Sequence, residues 1–202
     1  MFSNENKKQA DMCRFCWMCR HICPVAGATG SEGWGPRARG LMVSMIERGS
    51  AELDAEIAEA MYHCTMCDAC ANDCETGWKP TDFIREARMY CVANEVAPAA
   101  INTAIDNILN KGNIYGEAFN EKLAARIEAL PETADVLVYI GQTGRCFGAG
   151  SAISFLNILD KAEVGYTALK DEPPTGALLG DMMGMTGDVQ SVAVRAAEAI
   201  KA

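Results

Sequence analysis

Ten cysteines stand in this chain of 202 residues, and eight of them fall in two runs of the same form. Cys13, Cys16, Cys19 and Cys23 follow the spacing C-x2-C-x2-C-x3-C, with Pro24 directly after. Cys64, Cys67, Cys70 and Cys74 repeat it, with Glu75 in place of the proline. Thiols at this density, in a chain kept reduced, bind metal rather than pair as disulfides. Four irons bridged by sulfides form a cubane that offers one open site per iron. A C-x2-C-x2-C loop fills three corners, because so tight a turn gathers three sulfurs around one centre. The fourth corner needs a distant residue.

When two such runs occur together, the last cysteine of each serves the other cluster. This chemistry assigns Cys13, Cys16, Cys19 and Cys74 to one 4Fe–4S cluster, and Cys64, Cys67, Cys70 and Cys23 to a second. The crossing keeps the two cubanes within tunnelling range of each other. Structural zinc is the plainer alternative, but zinc takes four ligands, commonly as two C-x2-C pairs. A third and fourth cysteine at these spacings are superfluous for it. The missing second proline shapes a turn and is no ligand.

The elements that must position these thiols are mostly helical. Residues 1–12 are expected to be a frayed polar start, and the Gly-rich stretch after Cys23 a loop. Pro36 suits the first turn of a helix that Gly49 stops. Ser50 is expected to cap a helix over 51–62, with Leu53, Ile57 and Met61 on one face. Thr81 is expected to cap a helix carrying Phe83, Ile84, Ala87, Tyr90 and Cys91. A further helix over 99–111 stops at Gly112, and another covers 116–129. After Pro131 the character changes. "DVLVYIG" (135–141) reads as a buried parallel strand, "GSAISFLNILDKAEVG" as a buried helix, "GYTAL" (165–169) as a second strand, and about 188–201 as a last helix. The expected fold class is α+β: a mainly helical two-cluster ferredoxin-type domain over residues 1–131, then a small Rossmann-like β-α-β-α fragment over 132–202.

Composition narrows the function classes. The formal charge is −9, so counterion release on a phosphate backbone gives no affinity, and nucleic acid is not expected as a partner. No secretory signal opens the sequence and no run of eighteen apolar residues crosses it, so no membrane span is expected and the cytoplasm is the expected location. No nucleophile–base constellation is visible, so the chain itself is expected to carry electrons rather than a substrate site.

Smaller features have two readings each. Trp17, Met18, Ile22 and Met66 are expected to wall the clusters from water, which tunes reduction potential. His21 and His63 flank ligands and are either hydrogen-bond donors or a rare ligand, the second not expected with eight cysteines available, and Cys91 reads as a core thiol. Arg37 and Arg39 either contact a cluster sulfide or a flavin partner, or form a solvated helix start. "GQTGRCFGAGS" (141–151) follows a strand and opens a helix, the place of a phosphate cradle, but its glycines do not follow G-x-G-x-x-G and no ribose-binding acid closes a second strand. Cys146 has no second thiol near it in sequence.

The stretches "CRFCWMCRHICPVAGATGSEGWGPRARG" and "HCTMCDACANDCETGWKPTDFIREAR", with Pro36-Arg37-Ala38-Arg39 as a "PRGR"-like element, resemble the iron–sulfur subunits of flavin-dependent 2-hydroxy-acid oxidoreductases of the glycolate oxidase and lactate-utilisation type. They are also similar to the C subunits of anaerobic glycerol-3-phosphate dehydrogenase and heterodisulfide reductase. The resemblance implies a hetero-oligomeric complex with a flavoprotein dehydrogenase subunit holding FAD, and a further redox subunit. The heterodisulfide-reductase likeness implies instead a partner with intact Cys-Cys-Gly (CCG) motifs. Residues 132–202 resemble the start of a CCG domain whose thiols are replaced, with Gly141-Gln142 and Glu172-Pro173-Pro174-Thr175-Gly176 at the expected cysteine positions. The implied role of that fragment is docking or scaffolding.

Overall fold

A computed structural model describes residues 1–13 and 15–201. It is mostly helical with one small parallel sheet, an α+β chain. Two compact units divide it, Met1–Asn102 with Ala177–Asp188, and Thr103–Gly176 with Val189 onward. This division differs from the 131/132 boundary read from the sequence, because α8 (Ala99–Lys111) and α9 (Glu121–Glu128) mostly cluster with the residues that follow them. Among the described residues no helix is long and apolar enough to cross a membrane.

The first unit opens on α1 (Asn4–Asp11), where a frayed start was expected. Ser3 caps it by accepting from the Asn6 N–H, and Phe2 is buried in the core. Three short elements follow: α2 (Met18–Ile22), α3 (Pro24–Thr29) and a 3-10 turn at Glu32–Trp34. The expected loop is thus partly helical. Pro24 sits in the first turn of α3, and the Cys23 Sγ accepts from the Ala26 N–H. The longer helices are α4 (Pro36–Glu47), α5 (Ala55–Tyr62) and α7 (Pro80–Ala93), with the four-residue α6 (Ala69–Asn72) before the last. Asp54, not Ser50, caps α5 by accepting from the Ile57 N–H. Lys79, not Thr81, stands at the cap of α7, and Pro80 starts it. Val43 of α4, Met61 of α5, and Phe83, Ile84 and Ala87 of α7 close on Phe2 and Trp78. Fully burying side chains of this size stabilises a fold by roughly 1.5–3 kcal/mol each.

Arg88 runs through this core although it is charged. It donates to the carbonyls of Met61 at 2.9 Å, Met182 at 2.8 Å and Cys64. The Tyr62 hydroxyl donates to the Met183 carbonyl at 2.8 Å. These bonds hold the π-helical Leu178–Met182 against α7 within the first unit.

In the second unit Leu123, Ile127, Leu156, Tyr166 and Ala168 form the core. Strands β1 (Val136–Leu137) and β2 (Tyr166–Thr167) pair in parallel, Val136 opposite Tyr166 and Leu137 opposite Thr167. Both are shorter than expected, and Val136 is 40% exposed rather than buried. Past the strand the Ile140 and Gly141 N–H groups turn to the Glu172 carboxylate, at 2.8 and 2.6 Å, and α10 (Gly141–Cys146) begins. Helix α11 (Ala149–Lys161) buries Ala149 and Leu156, yet Phe155 and Ile158 are exposed. A sheet of two strands covers one side of a helix, so its apolar circumference is not enclosed. Helix α12 (Thr186–Lys201) ends the described chain.

Candidate metal centre

The two cysteine runs fold as structural copies. In the first, Phe15 and Trp17 take positive φ, 57° and 70°; in the second, Met66 and Asp68 take 55° and 58° at the equivalent places. Left-handed backbone at a non-glycine residue costs about 1–2 kcal/mol and persists only where the surroundings enforce it. Each loop repeats a hydrogen bond as well. The Phe15 N–H donates to Cys13 Sγ and the Met66 N–H to Cys64 Sγ, both at 3.4 Å. Each left-handed residue after the second cysteine then launches a short helix, α2 or α6, that carries the third cysteine inward. Cys19 and Cys70 are buried, whereas Cys16 and Cys67, at the loop tips, are exposed.

The eight thiols surround two separate cavities. Cys13, Cys16, Cys19 and Cys74 line the first, of about 270 Å³, together with Trp17, Met18, Arg37 and Trp78. Cys23, Cys64, Cys67 and Cys70 line the second, a tighter space of about 20 Å³, together with Pro36 and Arg39. In each, three cysteines come from one run and one from the other. All eight are free thiols, and no three His, Cys, Asp or Glu side chains among the described residues converge on a single ion's position. Four thiols lining each cavity, three from one run and one from the other, are the donor set that a 4Fe–4S cluster takes.

Electrostatics records the same grouping. Burial pushes the Cys19 thiol up to about 11, with Cys13, Cys16 and Cys74 adding to the rise and the Arg37 backbone N–H opposing it. Burial likewise pushes Cys70 up to about 12, with Cys64, Cys19, Cys67 and Cys23 adding. Cys19 and Cys70 belong to one core cluster, so the two rings are neighbours. Cys74 departs the other way. Against its burial, the Thr76 hydroxyl and the backbone N–H groups of Thr76, Trp78 and Gly77 hold its thiol below the usual range. The Thr76 Oγ1 lies 3.2 Å from Cys74 Sγ.

Residues 9–78 match the 4Fe-4S dicluster domain family. The match supports an iron–sulfur protein, and a dicluster domain suggests electron transfer. The match runs from within α1 to Trp78 and takes in all eight cysteines of the two runs. No curated protein and no solved structure matches the chain.

Other sequence expectations have mixed outcomes. Trp17 and Met18 line the first cavity but stay 39% and 53% exposed, and Ile22 is exposed too; the wall against water on that side is thin. The His63 ring stacks on Trp34 at 3.9 Å, and its Nδ1 bonds the Glu59 carbonyl at 2.8 Å, which turns it from any ligand role. Cys91 is fully buried beside Ala58 and Ala97. Arg37 stacks over the Trp17 ring at 3.6 Å and pairs with Glu32, whereas Arg39 is buried and not solvated. In the second unit the start of α10, whose glycines do not follow the phosphate-cradle pattern, already holds an anion. The Glu172 carboxylate takes its N–H groups and lies 3.5 Å from the buried Arg145 guanidinium.

Sequence reasoning missed Trp78, Arg88, Gly40 and Thr76. Thr76 and Trp78 follow Cys74 within four positions, a proximity that could have marked them. Arg88 lies one position from Ala87 on the apolar face of α7, where a charge is the signal.

Proposed function

We propose that the chain is an electron-transfer subunit holding two 4Fe–4S clusters, one on Cys13, Cys16, Cys19 and Cys74 and the other on Cys64, Cys67, Cys70 and Cys23. The observation that carries this reading is the crossed lining of the two cavities. When bound, such clusters each accept and release one electron at a time. The protein's own part is to grip the irons, bury one side of each ring and supply N–H donors to sulfur. The left-handed turns at Phe15, Trp17, Met66 and Asp68 bring three thiols of each loop around one cavity. Cys23 and Cys74 reach across and set the rings side by side.

The electron donor or acceptor is proposed to be a flavoprotein dehydrogenase subunit carrying FAD, of the 2-hydroxy-acid type, with a further redox subunit on the other side. A flavin exchanges electrons in pairs while each cubane moves one, and two clusters in series suit that conversion. Exposure of Cys16, Cys67, Trp17 and Met18 supports electron entry at this face. Residues 132–202 are proposed as a docking element of degenerate CCG type, and the exposed Phe155 and Ile158 of α11 support that role.

Anaerobically isolated protein is expected to contain iron and acid-labile sulfide at about eight of each per chain, to be brown, and to give a paramagnetic signal after dithionite reduction. Colourless protein holding zinc would overturn the reading.

A further inference from the structure

Two buried nitrogens in the first unit lack a partner. Among the described residues, the buried side-chain polar atoms without a hydrogen bond include Arg39 Nη2 and Trp78 Nε1. Both side chains are 1% exposed. Burying an N–H without an acceptor carries the full desolvation cost of the group, so native structures seldom keep one unless something outside the protein accepts it. Arg39 lines the second thiol ring. Its Nε is fixed by the Ala60 carbonyl at 2.6 Å, which holds the guanidinium plane while Nη2 stays unused. Trp78 lines the first ring, and its indole is clamped between Gly40 and Phe83. Each ring therefore has one buried, immobilised and unused side-chain donor.

We infer that Arg39 and Trp78 are the side-chain hydrogen-bond donors to cluster sulfur, Arg39 at the second ring and Trp78 at the first. This rests on the two-cluster reading. Sulfur gains negative charge when a cluster is reduced, so a fixed donor favours the reduced form and raises the potential. Arg39 adds a full positive charge and has the larger effect; the indole is neutral. Both are positioning residues that tune the clusters, and neither is a ligand.

The test is a redox titration of the anaerobic full chain followed by paramagnetic resonance, with the two signals assigned by their loss in Cys13→Ser and Cys64→Ser. Arg39→Met is expected to favour the oxidised form of the second cluster by tenfold or more, a fall of at least 59 mV for one electron, and to leave the first in place. Trp78→Phe is expected to lower only the first, by a smaller amount. Shifts in neither, or in the opposite cluster, overturn the assignment. A wild-type chain without iron or signal would instead overturn the two-cluster reading beneath it. Where either variant fails to fold, the wild-type chain grown with guanidino-15N arginine or indole-15N tryptophan decides. Nitrogen hyperfine coupling is expected on the reduced second and first clusters respectively, and its absence overturns the assignment.

Discussion

An added methyl at Gly40 would lie 2.6 Å from Trp78 Cζ2 and 3.4 Å from Phe83 Cζ. Two effects compete there. Alanine in mid-helix is favoured over glycine by about 1 kcal/mol, while overpacking a tight core costs about 1–3 kcal/mol. The Trp78 ring is fully buried against Phe83 and has no free space to retreat into, so the clash should win. Gly40→Ala is expected to lower unfolding stability by about 1–2 kcal/mol in a denaturant titration; a stabilised variant would show that the ring yields. The eight ligand candidates were legible in the sequence because metal chemistry fixes residue type and spacing together. Gly40 and Trp78 were not, since their importance lies in a contact between residues nearly forty positions apart.

At the scale of elements, α1 shows a helix held by docking rather than by its own sequence. It is polar except for Ala10, and Ala10 with Phe2 just before the helix anchors it in the core. Glu47, the last residue of α4, accepts from the Phe2 N–H at 2.9 Å and pairs with Lys7 at 2.7 Å, while Glu86 of α7 accepts from the Ser3 N–H at 2.8 Å. Burial alone would raise the Glu47 carboxyl, but Lys7 and the Phe2 N–H outweigh it and hold it at about 2, against an ordinary 4.5. A carboxyl depressed in the folded state stabilises the fold above its unfolded value, and that contribution fades as pH falls from 4.5 toward 2. Glu47→Gln is expected to lose about 1–2 kcal/mol at pH 7. Its stability curve should converge on that of the wild type in this acid window; a constant gap across it would contradict the role given to the charge. No periodic apolar face announced α1, which is why a frayed start was expected. Helix α4 was legible because Pro36 suits its first turn and Gly49 follows its end, and α7 and α8 because apolar residues recur at helical spacing. The strands came out short because a two-strand sheet has no neighbours to extend its ladder, a fact of tertiary pairing that a local apolar run does not carry.

At the scale of the whole molecule, the thiol rings belong to one compact unit, and the other has its own core around Leu123, Leu156 and Tyr166. A cofactor that binds only the folded form stabilises the unit it binds. Removing iron with chelator and oxidant is therefore expected to speed hydrogen exchange in α2, α3 and α6 by tenfold or more while α9 and α11 keep their protection; equal deprotection of both units would contradict that division of labour. The two runs point to iron–sulfur clusters, but the lining of each ring by both loops is a property of the fold, expected from spacing and seen as an arrangement of the folded chain.

That crossing is the central claim, and four serine substitutions compared by paramagnetic resonance test it most directly. Cys23→Ser should lose the same signal as Cys64→Ser, and Cys74→Ser the same signal as Cys13→Ser, each with about half the iron retained. If Cys23→Ser instead matches Cys13→Ser, each run closes its own cluster and the account is wrong.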